Sequence, residues 1–131
     1  MIDVETDVFN YVHPAVSSLV PSGCFKSEYV PNPSKFPFAT LIEMDNVTDA
    51  SMRGSGDTEE YAILTYETNV YAMNKHQCRT VADALDRKLT ELGFTRISMG
   101  FIPNLADSQV FRLTGRYRAE ADANKVIYRH T

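Results

Sequence analysis

Residues 61–93 change their hydrophobic period once, with almost no linker, and few folds accommodate that. Between Tyr61 and Ala72 the residues Ala62, Leu64, Tyr66, Thr68, Val70 and Ala72 fall on alternate positions, with Thr65, Glu67 and Asn69 between them. This is the pattern of a strand with one buried face. Immediately afterwards Cys78, Val81, Ala82, Leu85, Leu89 and Leu92 form a single helical stripe, and Arg79, Asp83, Asp86 and Lys88 take the opposite side. Asn74 stands at the N-cap, Gln77 completes a capping box, and Gly93 occupies the position that favours a left-handed residue after a helix. The sequence therefore predicts a long strand followed by a helix over 75–92 that packs back onto its sheet.

The remaining chain supplies partners for that unit. Val4, Val8, Phe9, Val12, Val16, Leu19 and Val20 predict a helix over residues 2–20, with Asp3, Glu5 and Asp7 at its electropositive end. Pro14 interrupts it and implies a kink or a second short helix. Residues 24–30 read as a short strand, the proline-rich stretch 31–37 as loop or edge, and Phe38 to Met44 as a strand. The polar segment from Asp45 to Glu60, with Gly54 and Gly56, is expected to be a long loop or hairpin tip. Structureless loops longer than about 12 residues are commonly functional, which suggests a docking arm with Asp49, Arg53, Asp57, Glu59 and Glu60 as contacts. Further strands are expected over 94–102, 109–119 and 125–128, with a polar turn at 120–124. The fold class is α+β: one domain spanning 1–131, an antiparallel or mixed sheet, and two main helices packed on one face.

Composition limits the function classes. A chain of 131 residues with 44% hydrophobic and 23% charged residues can build an ordinary core. It has no apolar run of about 18 residues to span a membrane, and its acidic start is unlike the basic start of a signal peptide. Cys24 and Cys78 each lie in an apolar pattern and are expected to be reduced core thiols. The net charge of −4 is unevenly spread: residues 1–60 carry −7 and residues 61–131 carry +3. Either an acidic face of one copy meets a basic face of the next, or the charges intermix on one solvated surface.

Motifs that carry chemistry are missing from the sequence. It contains no phosphate loop, dinucleotide fingerprint, nucleophile elbow, HExxH or CxxC. His13, His76 and His130 are far apart, and His76 and Cys78 point different ways on a helix. Glu43 and Glu67 sit on expected strands and could approach as a carboxylate pair, though strand carboxylates near arginines are usually ion-paired. A non-enzymatic chain with no cofactor and no metal is expected.

Arg112, Arg116 and Arg118 share one strand face. They could contact phosphates, meet the acids of a neighbouring subunit, or pair across strands with Glu67. The acidic balance argues against a dedicated nucleic-acid binder. Arg112, Arg116, Arg118, Glu67 and Glu43 are thus the candidate subunit-interface residues. Phe36, Phe38 and Phe101 are either interface anchors or covers of the sheet edge.

The order of these segments resembles the tail-terminator, or tail-completion, proteins of long-tailed bacteriophages. The resemblance spans about residues 2–128. It is carried by the N-terminal helix, by FPFATLIEM after an extended PNPSK, by YAILTYETNVYA running into a helix that ends LTELGFTR, and by the late strand FRLTGRYRAE. Residues 61–96 are its most specific part, and Pro14 is a departure from it. Membership would imply a small α+β virion subunit, assembled in the host bacterial cytoplasm as a ring, usually sixfold, on the head-proximal end of the tail tube. Its partners would be its own copies, the major tail tube protein and a head-closure or connector protein, with DNA passing through the lumen and no membrane. An acidic balance suits such a pore, because a basic lumen would hold the phosphates. The competing expectations are another neck protein, head-closure or connector-adaptor, and a small ligand-binding module.

Overall fold

The computed structural model describes residues 1–48, 61–104, 107 and 109–129. It has two helices and a six-stranded mixed sheet, the α+β architecture expected. The elements are α1 (Glu5–Ser17), β1 (Phe25–Lys26), β2 (Phe38–Thr48), β3 (Tyr61–Ala72), α2 (Lys75–Leu92), β4 (Thr95–Ile102), β5 (Phe111–Asp122) and β6 (Ile127–Arg129). The strand order is β1-β2-β3-β5-β4. β1 runs parallel to β2 and every other pairing is antiparallel. β6 pairs with the far end of β5, beyond the stretch that β4 occupies.

β3 is the central strand, and its alternation is what the sequence predicts. Ala62, Leu64, Tyr66, Thr68, Val70 and Ala72 are each 1% exposed or less and lie under the helices. α2 starts where expected: the Asn74 side chain accepts a hydrogen bond from the Gln77 amide at 2.8 Å. It ends on Gly93 at φ 111°, a left-handed conformation that glycine adopts without a Cβ penalty. Its stripe packs into the same core, with Leu85 and Leu89 fully buried. Gly115 on β5 is required for space: a Cβ there would meet Thr68 Oγ1 at 2.8 Å and the end of Met99 at 2.6 Å.

α1 is one helix, shorter than predicted and not split at Pro14. Val8, Val12 and Val16 form its buried stripe, whereas Pro14 and Asn10 are exposed. Water can therefore satisfy the Asn10 carbonyl that a proline four residues on leaves without a donor. Leu19, counted in the stripe from sequence, lies past the helix end and is exposed. Tyr11 of α1 donates to Glu91 Oε1 of α2 at 2.7 Å, linking the two helices on their outer side.

Strand boundaries differ from expectation as well. β1 closes after two residue pairs, and the chain leaves it towards Pro31 and Pro33. β2 runs on to Thr48, so Asp45–Thr48 is strand where a loop was predicted. Asp45, Val47 and Thr48 are exposed on a sheet border, where composition stops marking a strand. β5 continues through Asp122, and the turn into β6 is tied by Asp122, whose carboxylate accepts from the Asn124 and Val126 amides at 2.9 and 3.0 Å.

A second, smaller core covers one end of the sheet face opposite the helices. Cys24, Phe38, Tyr71 and Val110 are buried there, with Phe36 and Val30 against them. Phe36 and Phe38 are therefore packing residues, and Phe101 is half-buried beneath Lys75 and Arg79 at 5.4 and 5.1 Å. Both cysteines are buried free thiols.

Because Leu85 joins α2 to the sheet core, Leu85→Ala should lower the unfolding free energy by about 2–5 kcal/mol, read from urea denaturation. A loss below about 1 kcal/mol would mean that α2 is not anchored by this stripe.

Candidate assembly surface

The open face of the sheet, opposite the helices, is built by the alternate residues of β3, β5 and β4. Register sets Glu67 beside Arg116, Asn69 beside Thr114, and Tyr71 beside Arg112. Asn69 is fully buried and is the hub. Its amide donates to Glu67 Oε1 at 3.0 Å, and its carbonyl oxygen accepts from Arg112 Nε and Thr114 Oγ1, both at 2.9 Å. Glu67 Oε2 pairs with an Arg116 guanidinium nitrogen at 3.1 Å. Arg112 also lies over the Tyr71 ring, 5.6 Å from its centroid. The groove above this network holds about 420 Å³ and is lined by Glu67, Ser98, Gly100, Ile102, Arg112 and Arg116.

Two of the three aligned arginines are thereby committed within the chain. The Glu67 side chain is 11% exposed and that of Arg116 is 54% exposed, so the pair neutralises a carboxylate that would be costly to leave alone. Arg118 shares their face, is exposed, and has no ion pair among the described residues. Of the row predicted to face a neighbour, Arg118 is the member with charge to spare. The sequence places Asn69 with Thr65 and Glu67 on the strand face opposite the apolar one; that it is fully buried there, and its role, depend on pairing with β5.

Glu43 and Glu67 do not approach as a carboxylate pair. Glu43 is opposite Tyr66 and Ile42 is opposite Glu67, so the two carboxylates project from opposite faces of the sheet. A strand's side chains alternate, and the register of β2 on β3 decides the matter. Glu43 lies on the helix side, near the start of α1. Burial holds its carboxyl above the usual glutamate range; the Tyr66 hydroxyl offsets part of that rise, and the Glu5 and Asp3 charges add to it. Burial beside Glu43 likewise pushes the Tyr66 phenol strongly upward. Among the described residues Glu43 Oε1, Asn46 Oδ1 and Tyr66 Oη are buried with no partner in good hydrogen-bond geometry, so the Tyr66 hydroxyl relieves the burial of Glu43 only in part. Asn46 itself donates from its amide to the Ile2 carbonyl at 2.7 Å, pinning the N-terminal segment over β2.

The docking-loop candidates Asp49, Arg53, Asp57, Glu59 and Glu60 lie outside the described residues, as does His130. His13 stacks on Phe25, with ring centroids 5.8 Å apart, and His76 is exposed in the first turn of α2. Among the described residues no three His, Cys, Asp or Glu side chains are gathered as a metal site would need, and no helix is long and apolar enough to cross a membrane.

Two predictions follow from the geometry. Asn69→Ala leaves Arg112, Thr114 and Glu67 each short of a partner and should cost roughly 2–4 kcal/mol in urea denaturation, whereas Arg118→Ala should change stability by less than about 0.5 kcal/mol. The raised Glu43 value means that the folded state holds this proton more tightly than the unfolded chain. Its contribution is greatest below the ordinary glutamate value of 4.5 and is lost as pH rises through the raised value. Glu43→Gln should therefore flatten stability over that window and raise the urea midpoint at pH 7 relative to wild type; an unchanged pH profile would contradict it. In comparisons with known proteins, no protein-family model and no curated protein matches this chain.

Proposed function

We propose that this chain is a structural, non-catalytic virion subunit of the tail-terminator type. It would form a ring on the head-proximal end of a bacteriophage tail tube, stop tube growth and join the tail to the head connector. The observation that carries the reading is the β3–α2 unit. The stretch most like those proteins in sequence forms the central strand and the helix laid over it, and β2 and β5 flank it as the other resembling segments. FPFATLIEM runs into β2 and supplies its first seven residues, and FRLTGRYRAE makes up nearly all of β5. An open sheet face opposite the helices, with two exposed borders, provides surfaces for neighbouring proteins.

Electron microscopy of the purified protein, alone and mixed with tail tubes, tests this. Six-membered rings that cap tubes at one end are the expected result. Twelve-membered rings seated on portals would instead make the chain a connector adaptor. A saturable thermal shift with one metabolite, without assembly, would make it a ligand-binding module.

A further inference from the structure

The strand order leaves two borders of the sheet open among the described residues. β4 and, beyond its Thr95 end, β6 close one side, and on the other β1 covers β2 only at Ala39 and Thr40. Each open border carries one bulge. In β2 the register slips between Glu43 and Asp45, leaving Met44 as the extra residue; in β4 it slips between Arg96 and Ser98, leaving Ile97. Both extra residues are large, apolar and exposed, 48% for Met44 and 53% for Ile97. A bulge re-aims a side chain, and an open border with an apolar residue on it is a ready template for another chain.

The charges on the two borders are opposite. Beside Met44, Glu43 lies on the helix side of the sheet and Asp45 on the open side, with Asp3 and Glu5 close to Glu43. None of these four acids has a basic partner among the described residues. The nearest base along that border, Lys26, is at the other end, beside Thr40. Around Ile97, Arg96 lies on the helix side, 3.4 Å from Asp86, and Arg118 lies on the open side one strand in, opposite Thr95. Arg96 is already paired with Asp86, so the match left over lies on the open face, between Asp45 on one border and Arg118 one strand behind the other.

We infer that the β2 border of one copy of this chain seats against the β4 border of the next, with Met44 and Ile97 at the centre and Asp45 set against Arg118 on the open face. The occupant is a second copy because the same molecule carries both complementary halves, and charge matching suppresses acid-to-acid and base-to-base pairings. The contact uses two different surfaces, so it is heterologous and repeats from copy to copy until it closes. It rests on the ring-forming role proposed above and specifies which surfaces make the ring.

Met44→Cys and Ile97→Cys, singly, mixed and combined, test it with a short bismaleimide. The native thiols are buried, and burial pushes Cys78 up to about 11, so they stay unreactive. The mixed single variants should cross-link to each other and neither to itself, and the double variant should give a ladder. Arg118→Glu should abolish the mixed product, and pairing it with Asp45→Lys on the other partner should restore it. Self-linking of either single variant as fast as the mixture, or no mixed product at all, overturns the contact. If wild-type protein then still sediments as a ring, the ring-forming role stands without this interface; if it is monomeric and leaves tubes uncapped, both fall.

Discussion

The pairing of β3 with β2 on one side and β5 on the other is the constraint on which the rest of the structure depends. Its helix-side residues are among the most completely buried in the protein, and α2 follows it after a two-residue connection. Fixing β3 therefore fixes the position of α2, and α2 in turn holds α1. On the far side of the sheet the same register decides which polar groups meet. A slip of one residue would turn Tyr66 and Leu64 outward and drive Glu67 and Asn69 into the apolar core.

That coupling explains why the open face can bury a polar network. The Asn69 side chain is fully buried, and the cost of burial is offset because its amide and its carbonyl oxygen both find side-chain partners. Glu67 gains Arg116 in the same way. The network makes the register of β3 against β5 specific in a manner that an alternating apolar strand would not, since each polar group has a partner in one alignment alone. The arginines that look in sequence like a binding row are largely the means by which the sheet aligns itself.

The uneven charge of the chain acquires a direction in the fold. Acids from the first helix and β2 gather on one border, and arginines of β4 and β5 lie towards the other, with β3 between them. The two bulges sit within these charged borders. A bulge commonly protects a border from indiscriminate pairing by twisting it. Here each one also presents an exposed apolar side chain, Met44 or Ile97.

Much of the architecture was legible in the sequence because it rests on local chemistry. The alternation of β3, the stripe and caps of α2, the buried cysteines and the two-helix α+β class all follow from periodicity and capping, which neighbours in the chain determine. The continuation of β2 through Asp45–Thr48 was not legible, since a polar stretch becomes strand there by pairing with β3. Nor was the intact α1 around Pro14, which depends on that turn facing water. The separation of Glu43 from Glu67, the Asn69 hub and the surplus charge of Arg118 were decided by tertiary structure, because which face a strand residue occupies, and what it meets there, depends on a register set by residues far away in the chain.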